Sequence, residues 1–223
     1  MSASFNPVQK KVHIALNALV AILGITAFIY KANYEGSAVS CFREMTCDGT
    51  LFAVLTAMVA SVQRVLELKQ GRNIPSRWGY FLHLSSAVTE VLILLVVLIG
   101  LLPIVKDHPV FARYDMINMH VIIPLITMFT FVRYAVCPKD VKPLDRLNGL
   151  IFIILYAVTM ITLILLNVVP EEKIPYSFLN VRKAAAWYLA FAAVAAVTIS
   201  LVFSNLFMEL NQRMGRKLEG TKE

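Results

Sequence analysis

Long apolar runs alternate with short polar segments along the chain. Six of the runs are long enough to cross a hydrocarbon core of roughly 30 Å, which takes about 20 helical residues. They predict helices near 13–31, 50–66, 79–103, 115–133, 148–169 and 184–208. The second run is short, and Thr50, Thr56, Ser61 and Gln63 lower its hydropathy, yet omitting it would break the alternation of charge between loops. Prolines punctuate the runs. Pro75 precedes the third, Pro103 and Pro109 follow it, Pro138 and Pro143 sit in the fourth loop, and Pro170 and Pro175 flank the turn after the fifth. Only Pro124 lies inside a run. No Gly/Ser linker, low-complexity tract or repeat divides the chain, so the pattern predicts one domain over residues 1–223: an all-α integral membrane bundle of six helices.

Composition agrees with that pattern. Apolar residues make up 58% of the chain and charged residues 16%, with a mean hydropathy of +0.70, which excludes an ordinary soluble domain. The net charge of +7 is unevenly spread. The N-terminus, second loop, fourth loop and tail (Lys10, Lys11; Arg64, Lys69, Arg72, Arg77; Arg133, Lys139, Lys142, Arg146; Arg213, Arg216, Lys217, Lys222) hold 14 of the 21 Lys and Arg residues. The side richer in these residues stays cytoplasmic, so both termini are expected there. The basic balance therefore reads as topology and not as a nucleic-acid footprint. Lys10 and Lys11 precede the first run as in a signal peptide, but the run is about 19 residues and Tyr30-Lys31-Ala32-Asn33 lacks a small-x-small cleavage pattern, so it reads as a retained helix.

Cys41 and Cys47 share the first outward loop, where they form either a local disulfide or two separate thiols, while Cys137 lies on the reducing side. Tyr30, Trp78, Tyr80, Tyr114, Tyr134, Trp187 and Tyr188 fall at predicted helix ends, as interfacial aromatics do. Ala184-Ala185-Ala186 and the alanines up to Ala196 give the sixth helix a smooth flank suited to close helix contact.

Polar side chains inside the runs are few, and each is a candidate for function because ionisable groups are costly within a bilayer. Two are deep, Glu90 and His120, with His83 nearer the cytoplasmic edge. His83, Ser86 and Glu90 follow at i, i+3 and i+7 with Thr89 at the margin, a stripe that must face the bundle. Glu90 is either polar glue bonded to a neighbouring helix or a functional carboxyl. At 1.5 Å per residue, Thr56 is ~9 Å past Thr50 and His120 ~7.5 Å past Asp115, so the two lie at one level, with Glu90 deeper at ~16 Å. A hydroxyl and an imidazole at one depth are the minimum pair for an activated oxygen nucleophile with a general base. Pro124 supplies no N–H, so it frees the carbonyl of His120 and adds backbone polarity at the same point. Asn118 and Asp115 lie close enough to position a polar head group, although Asp115 also complements the helix dipole at the helix start. No nucleophile elbow, zinc-protease, phosphate-loop or paired-cysteine motif is present, so no metal or cofactor is expected.

The segment Met119-His120-Val121-Ile122-Ile123-Pro124-Leu125, together with Ser86-Ala87-Val88-Thr89 and the run Val91 to Leu102 ahead of Pro103, resembles the androgen-induced and androgen-dependent membrane protein family, in particular its bacterial branch. The resemblance implies a six-helix intramembrane hydrolase of a bacterial plasma membrane that cleaves esters of fatty acids with hydroxy fatty acids, using a threonine and a histidine. His120 matches the histidine. Leu55-Thr56 can be laid on the threonine early in the second helix, whereas the bacterial pattern sets Ala53 there, leaving Thr56, Thr50 or no residue as the nucleophile. A lipid-ester hydrolase with Thr56 and His120 as catalytic pair and Asn118 and Glu90 beside the substrate is thus one reading. A proton-linked carrier using Glu90, His83 and His120 is a second, and a noncatalytic membrane scaffold a third. The bilayer and a fatty-acyl ester are the partners these readings require.

Overall fold

The computed structural model describes residues 5–101, 113–176 and 179–220; Pro103, Pro109 and Lys222 lie outside them. The described residues are helical, with no strand among them. The helices are α1 (Pro7–Tyr34), α2 (Ala38–Cys41), α3 (Met45–Gln70), α4 (Arg77–Leu95), α5 (Tyr114–Ile117), α6 (Ile123–Tyr134), α7 (Ile151–Leu165) and α8 (Ala186–Gly220). A π-helical turn, Val96–Leu101, prolongs α4; a second, Asn118–Ile122, joins α5 to α6; a 3-10 helix, Pro143–Leu150, leads into α7. Six helices are long and apolar enough to cross a membrane: Pro7–Tyr34, Met45–Gln70, Arg77–Ile99, Tyr114–Tyr134, Pro143–Leu165 and Ala186–Arg216.

Local chemistry sets the ends. Asn6 and Gln9 form a reciprocal capping box ahead of Pro7, so the first turn of α1 has its free N–H groups satisfied. Gly71, at φ 65°, closes α3 in the left-handed region. Ser76 caps α4 by accepting from the Gly79 N–H. Every expected helix is present, but α3 begins at Met45, a turn before the expected 50. Its first turn is held by protein contacts, with Thr46 and Cys47 buried, so packing and not hydropathy fixes that start.

Polarity is arranged inside out. The buried positions of α1 are Lys10, His13, Asn17, Val20, Gly24, Ala27 and Lys31, spaced in alternating steps of three and four. That is the spacing of a helix-packing seam, and here it is polar or small. Val12, Leu19, Ile22, Ile25 and Ile29 point outward. Small residues bring the helices close: a Cβ on Gly24 would stand 2.4 Å from Val54 Cγ2, and one on Gly49 2.6 Å from Ile93 Cδ1. α1 packs on α3 and α6, and α4 packs on α3, α6 and α8. Between α4, α6 and α8 lies the largest apolar cluster among the described residues, with Leu84, Val88 and Phe131 fully covered and Phe207 and Met208 buried.

Both described chain ends lie at one end of the bundle. Phe5 packs against Tyr134 and Val136, and the Asn211 side-chain amide on α8 donates to the carbonyls of Phe131, Val132 and Ala135. This is the basic end, and it holds an unexpected ion cluster. Arg64 donates through Nη1 to Glu67, through Nε to His13 Nδ1 at 3.1 Å and through Nη2 to the Tyr134 carbonyl, while Lys10 approaches Glu67 at 3.4 Å. Glu67 is fully buried, and Arg64 and Lys10 nearly so. The cluster adds buried ionisable residues at the end of the spans, His13, Arg64 and Glu67, to the two expected well inside them, Glu90 and His120. Two of the expected interfacial aromatics, Tyr80 and Tyr134, are core residues as well, their rings packed on Phe131 and His13. The alanine flank of α8 meets no other described helix along most of its length; α8 packs instead through Ser200, Ser204, Phe207 and Asn211.

Breaking the ion cluster leaves unpaired charge in the interior. Glu67→Gln is expected to destabilise the protein by about 3 kcal/mol or more, seen as a lowered unfolding midpoint in detergent. Glu209→Gln, which removes an exposed partner of Arg213, is expected to leave the midpoint unchanged.

Candidate functional site

At the opposite end of the bundle, α3 and the α5–α6 span bring a hydroxyl and an imidazole together. His120 lies on the π-helical turn, where the Ile123 N–H bonds Asn118 O, five residues back, just before Pro124 interrupts the ladder. The widened turn carries His120 toward the first turn of α3. There His120 Nε2 stands 3.2 Å from Thr46 Oγ1, and Nδ1 stands 3.0 Å from the Met116 carbonyl. A carbonyl can only accept, so in the neutral ring Nδ1 carries the proton and Nε2 is the acceptor. The Thr46 hydroxyl therefore donates to Nε2. Both side chains are 6% exposed. A hydroxyl, an imidazole able to accept its proton and a carbonyl that orients the imidazole are thus in series, the order that an activated oxygen nucleophile requires.

The surroundings hold the pair in place. Lys31 Nζ lies 2.9 Å from Glu35 and 3.0 Å from Glu44, tying the end of α1 to the start of α3. Arg113 grips Asp115 at 2.6 Å, and Thr26 Oγ1 and the Tyr114 hydroxyl lie 2.7 Å apart. Tyr176 shares a hydrogen bond with Thr46. Burial, reinforced by the Glu44 charge, pushes the Tyr176 hydroxyl up to about 12, so it stays protonated near neutral pH. Cys41 and Cys47 are free, buried neighbours and do not form a disulfide. Burial raises the Cys41 thiol, with the Glu35 charge adding to the effect. Beside this end of α3 an apolar groove of about 360 Å³ runs against α7, lined by Phe42, Leu51, Phe52, Phe152, Leu155 and neighbouring residues.

The other expected site residues make no hydrogen bond to His120 or Thr46 among the described residues. Thr56 donates to the Ala53 carbonyl of its own helix at 3.0 Å and makes no bond to His120. Because α3 starts at Met45, Thr56 is eleven residues in, or ~16 Å, against ~9 Å for His120 counted from Tyr114. Counted so, Thr56 is not level with His120; the hydroxyl bonded to His120 is that of Thr46, in the first turn of α3. Asn118 donates to the Tyr114 carbonyl. The stripe of His83, Ser86, Thr89 and Glu90 is buried, as its spacing requires. His83 Nε2 lies 3.3 Å from Thr130 Oγ1. Both Glu90 oxygens are buried without a hydrogen-bond partner among the described residues, so Glu90 bonds neither His120 nor a neighbouring helix among them. Asn17 Nδ2, Thr50 Oγ1, Ser86 Oγ and Thr127 Oγ1 share that condition.

Thr46 escaped the sequence reading because it precedes the apolar run. A usable signal was present: Thr46 and Arg64 are eighteen residues apart, five turns at 3.6 residues each, and so share one face of α3. Among the described residues no three His, Cys, Asp or Glu side chains are placed to hold a metal ion. No known protein family, curated protein or solved structure matches the chain.

The bond pattern fixes a tautomer. In ¹⁵N-histidine spectra of the neutral protein, His120 is expected to carry its proton on Nδ1, and Thr46→Val should shift the Nε2 resonance while Thr56→Val leaves it in place; an Nε2–H tautomer would contradict the arrangement.

Proposed function

We propose that the chain spans a membrane six times, with the basic end and both termini on the cytoplasmic side, and acts as an intramembrane hydrolase of fatty-acyl esters through Thr46 and His120. The observation that carries this reading is the Thr46–His120–Met116 series of hydrogen bonds. The resemblance around His120 and Pro124 points to the same chemistry, and the apolar outer surface of the bundle suits a substrate that arrives from within the bilayer.

In the first step Thr46 Oγ attacks the ester carbonyl as its proton passes to His120 Nε2, and the Met116 carbonyl stabilises the imidazolium through the Nδ1–H bond. The C–O bond to the alcohol then breaks, and His120 returns the proton to the departing oxygen. Water deprotonated by the same nitrogen then attacks the acyl-Thr46 ester, and as the acyl–Oγ bond breaks His120 returns that proton to Thr46 Oγ and the acid leaves. Tyr176, held neutral beside Thr46, is the O–H donor for the tetrahedral oxyanion. Lys31 and the paired acids around it keep the start of α3 in register with His120.

A second reading rests on a separate observation. The unpartnered Asn17, Thr50, Ser86, Glu90 and Thr127 come from α1, α3, α4 and α6 and lie in the interior between the two ends. Buried polar groups without partners are places where water enters, and such a file suits proton movement.

The purified protein should react with a lipid-chain fluorophosphonate probe and turn over branched fatty-acyl esters. Thr46→Ala and His120→Ala are expected to abolish both activities, Thr56→Ala to retain them, and Tyr176→Phe to lower kcat by roughly 10²-fold. Wild-type protein inert in both assays, or loss confined to Thr56→Ala, would defeat the hydrolase reading. Proton flux in vesicles that disappears in Glu90→Gln and persists in Thr46→Ala would favour the second.

A further inference from the structure

At the basic end, remote from Thr46, a cavity of about 350 Å³ opens between the start of α1, the loop after α6 and the last turns of α8. Its polar lining is cationic: Arg133, Lys139 and Arg216 contribute to it, and among the described residues no Asp or Glu does. None of the three cations enters an ion pair among the described residues. Arg133 Nη1 is buried with no hydrogen-bond partner, and its guanidinium is held 5.3 Å from the centre of the Tyr134 ring. A buried N–H without an acceptor is a standing cost, removed when an acceptor enters.

The neutral polar groups of the cavity are already engaged. Asn211 is committed to three backbone carbonyls and Gln212 Nε2 to Cys137 Sγ. What the cavity offers a ligand is therefore a guanidinium fork, an ammonium group and a second guanidinium, beside the apolar faces of Phe5, Pro138 and Val141. Guanidinium forks match the oxygens of a phosphate two at a time, and three cations exceed the charge of a carboxylate. Basic pockets between helix ends at a membrane surface are also where anionic head groups bind.

We infer that this cavity is a binding site for a phosphate-bearing anion, either a phospholipid head group or free phosphate, with Arg133 as its central ligand and Lys139 and Arg216 closing over it. The full-length protein in detergent, examined by native mass spectrometry with phosphatidylglycerol, phosphatidylcholine and inorganic phosphate, tests it. Phosphatidylglycerol should remain bound at collision energies that strip phosphatidylcholine. Arg133→Gln and Lys139→Gln should each weaken its binding roughly fivefold, while Arg213→Gln, an exposed cation paired with Glu209 outside the cavity, should not. Lys139 sits on the loop, so its substitution probes the cavity without disturbing helix packing. Displacement of the lipid by inorganic phosphate would assign the site to the free anion, and failure to displace it would assign the site to the head group; either supports the site. Equal retention of the two lipids, or equal weakening by Arg213→Gln, would overturn it.

Discussion

A single buried guanidinium, that of Arg64, sets the rotation of α3, and the remainder of the interior is arranged around it. Its three nitrogens reach Glu67 on its own helix, His13 on α1 and the Tyr134 carbonyl at the end of α6. A helix bonded to two neighbours through one planar fork has little freedom to turn about its axis. Thr46 lies five full turns from Arg64, so the clamp at one end aims the hydroxyl at the other. The same spacing separates His13 from Lys31 on α1. Each helix therefore has a polar anchor near both ends of one seam, Arg64 and Thr46 on α3, His13 and Lys31 on α1, and the Thr46–His120 pair sits where the seams meet.

The surface explains why that seam is polar. Val, Ile and Leu occupy the outward positions of α1, α3 and α7, leaving the interior as the place where a hydroxyl, imidazole or carboxyl finds a partner. Glycines at the contacts let backbones approach, so the interior stays narrow, and a polar side chain entering it meets a specific partner or none. Both outcomes occur. Thr46, His120, His83 and Arg64 are partnered, while Glu90, Ser86, Thr50 and Thr127 are not. Most of the unsatisfied groups thereby lie in the middle of the bundle, while Arg133 Nη1 and His13 Nε2 at the basic end are also without partners.

Much of this was legible in the chain. The six long helices follow from run length and hydropathy, and the inward face of His83, Ser86 and Glu90 follows from their spacing. His120 stands out because an imidazole and a proline interrupt an otherwise apolar run. The partner of His120 was hidden for a physical reason: the first turn of α3 is held by protein contacts, so Thr46 lies beyond the reach of a hydropathy rule. Arg64 and Lys10 were hidden for another. A charge count assigns every cation near a run's end to water, whereas a carboxylate three residues away, here Glu67, lets a guanidinium stay inside. Read as a seam, Lys10, His13 and Asn17 would have exposed this, because polar residues at steps of three and four within an apolar stretch can only face other helices.

The central claim is that Thr46, activated by His120, is the nucleophile of the bundle. Peptide mapping by mass spectrometry after reaction with a lipid-chain fluorophosphonate tests it most directly. A covalent adduct on Thr46 that is absent when His120 is replaced by alanine is the predicted result. An adduct on Thr56 or Thr50, or one on Thr46 that forms equally without the histidine, would contradict the account.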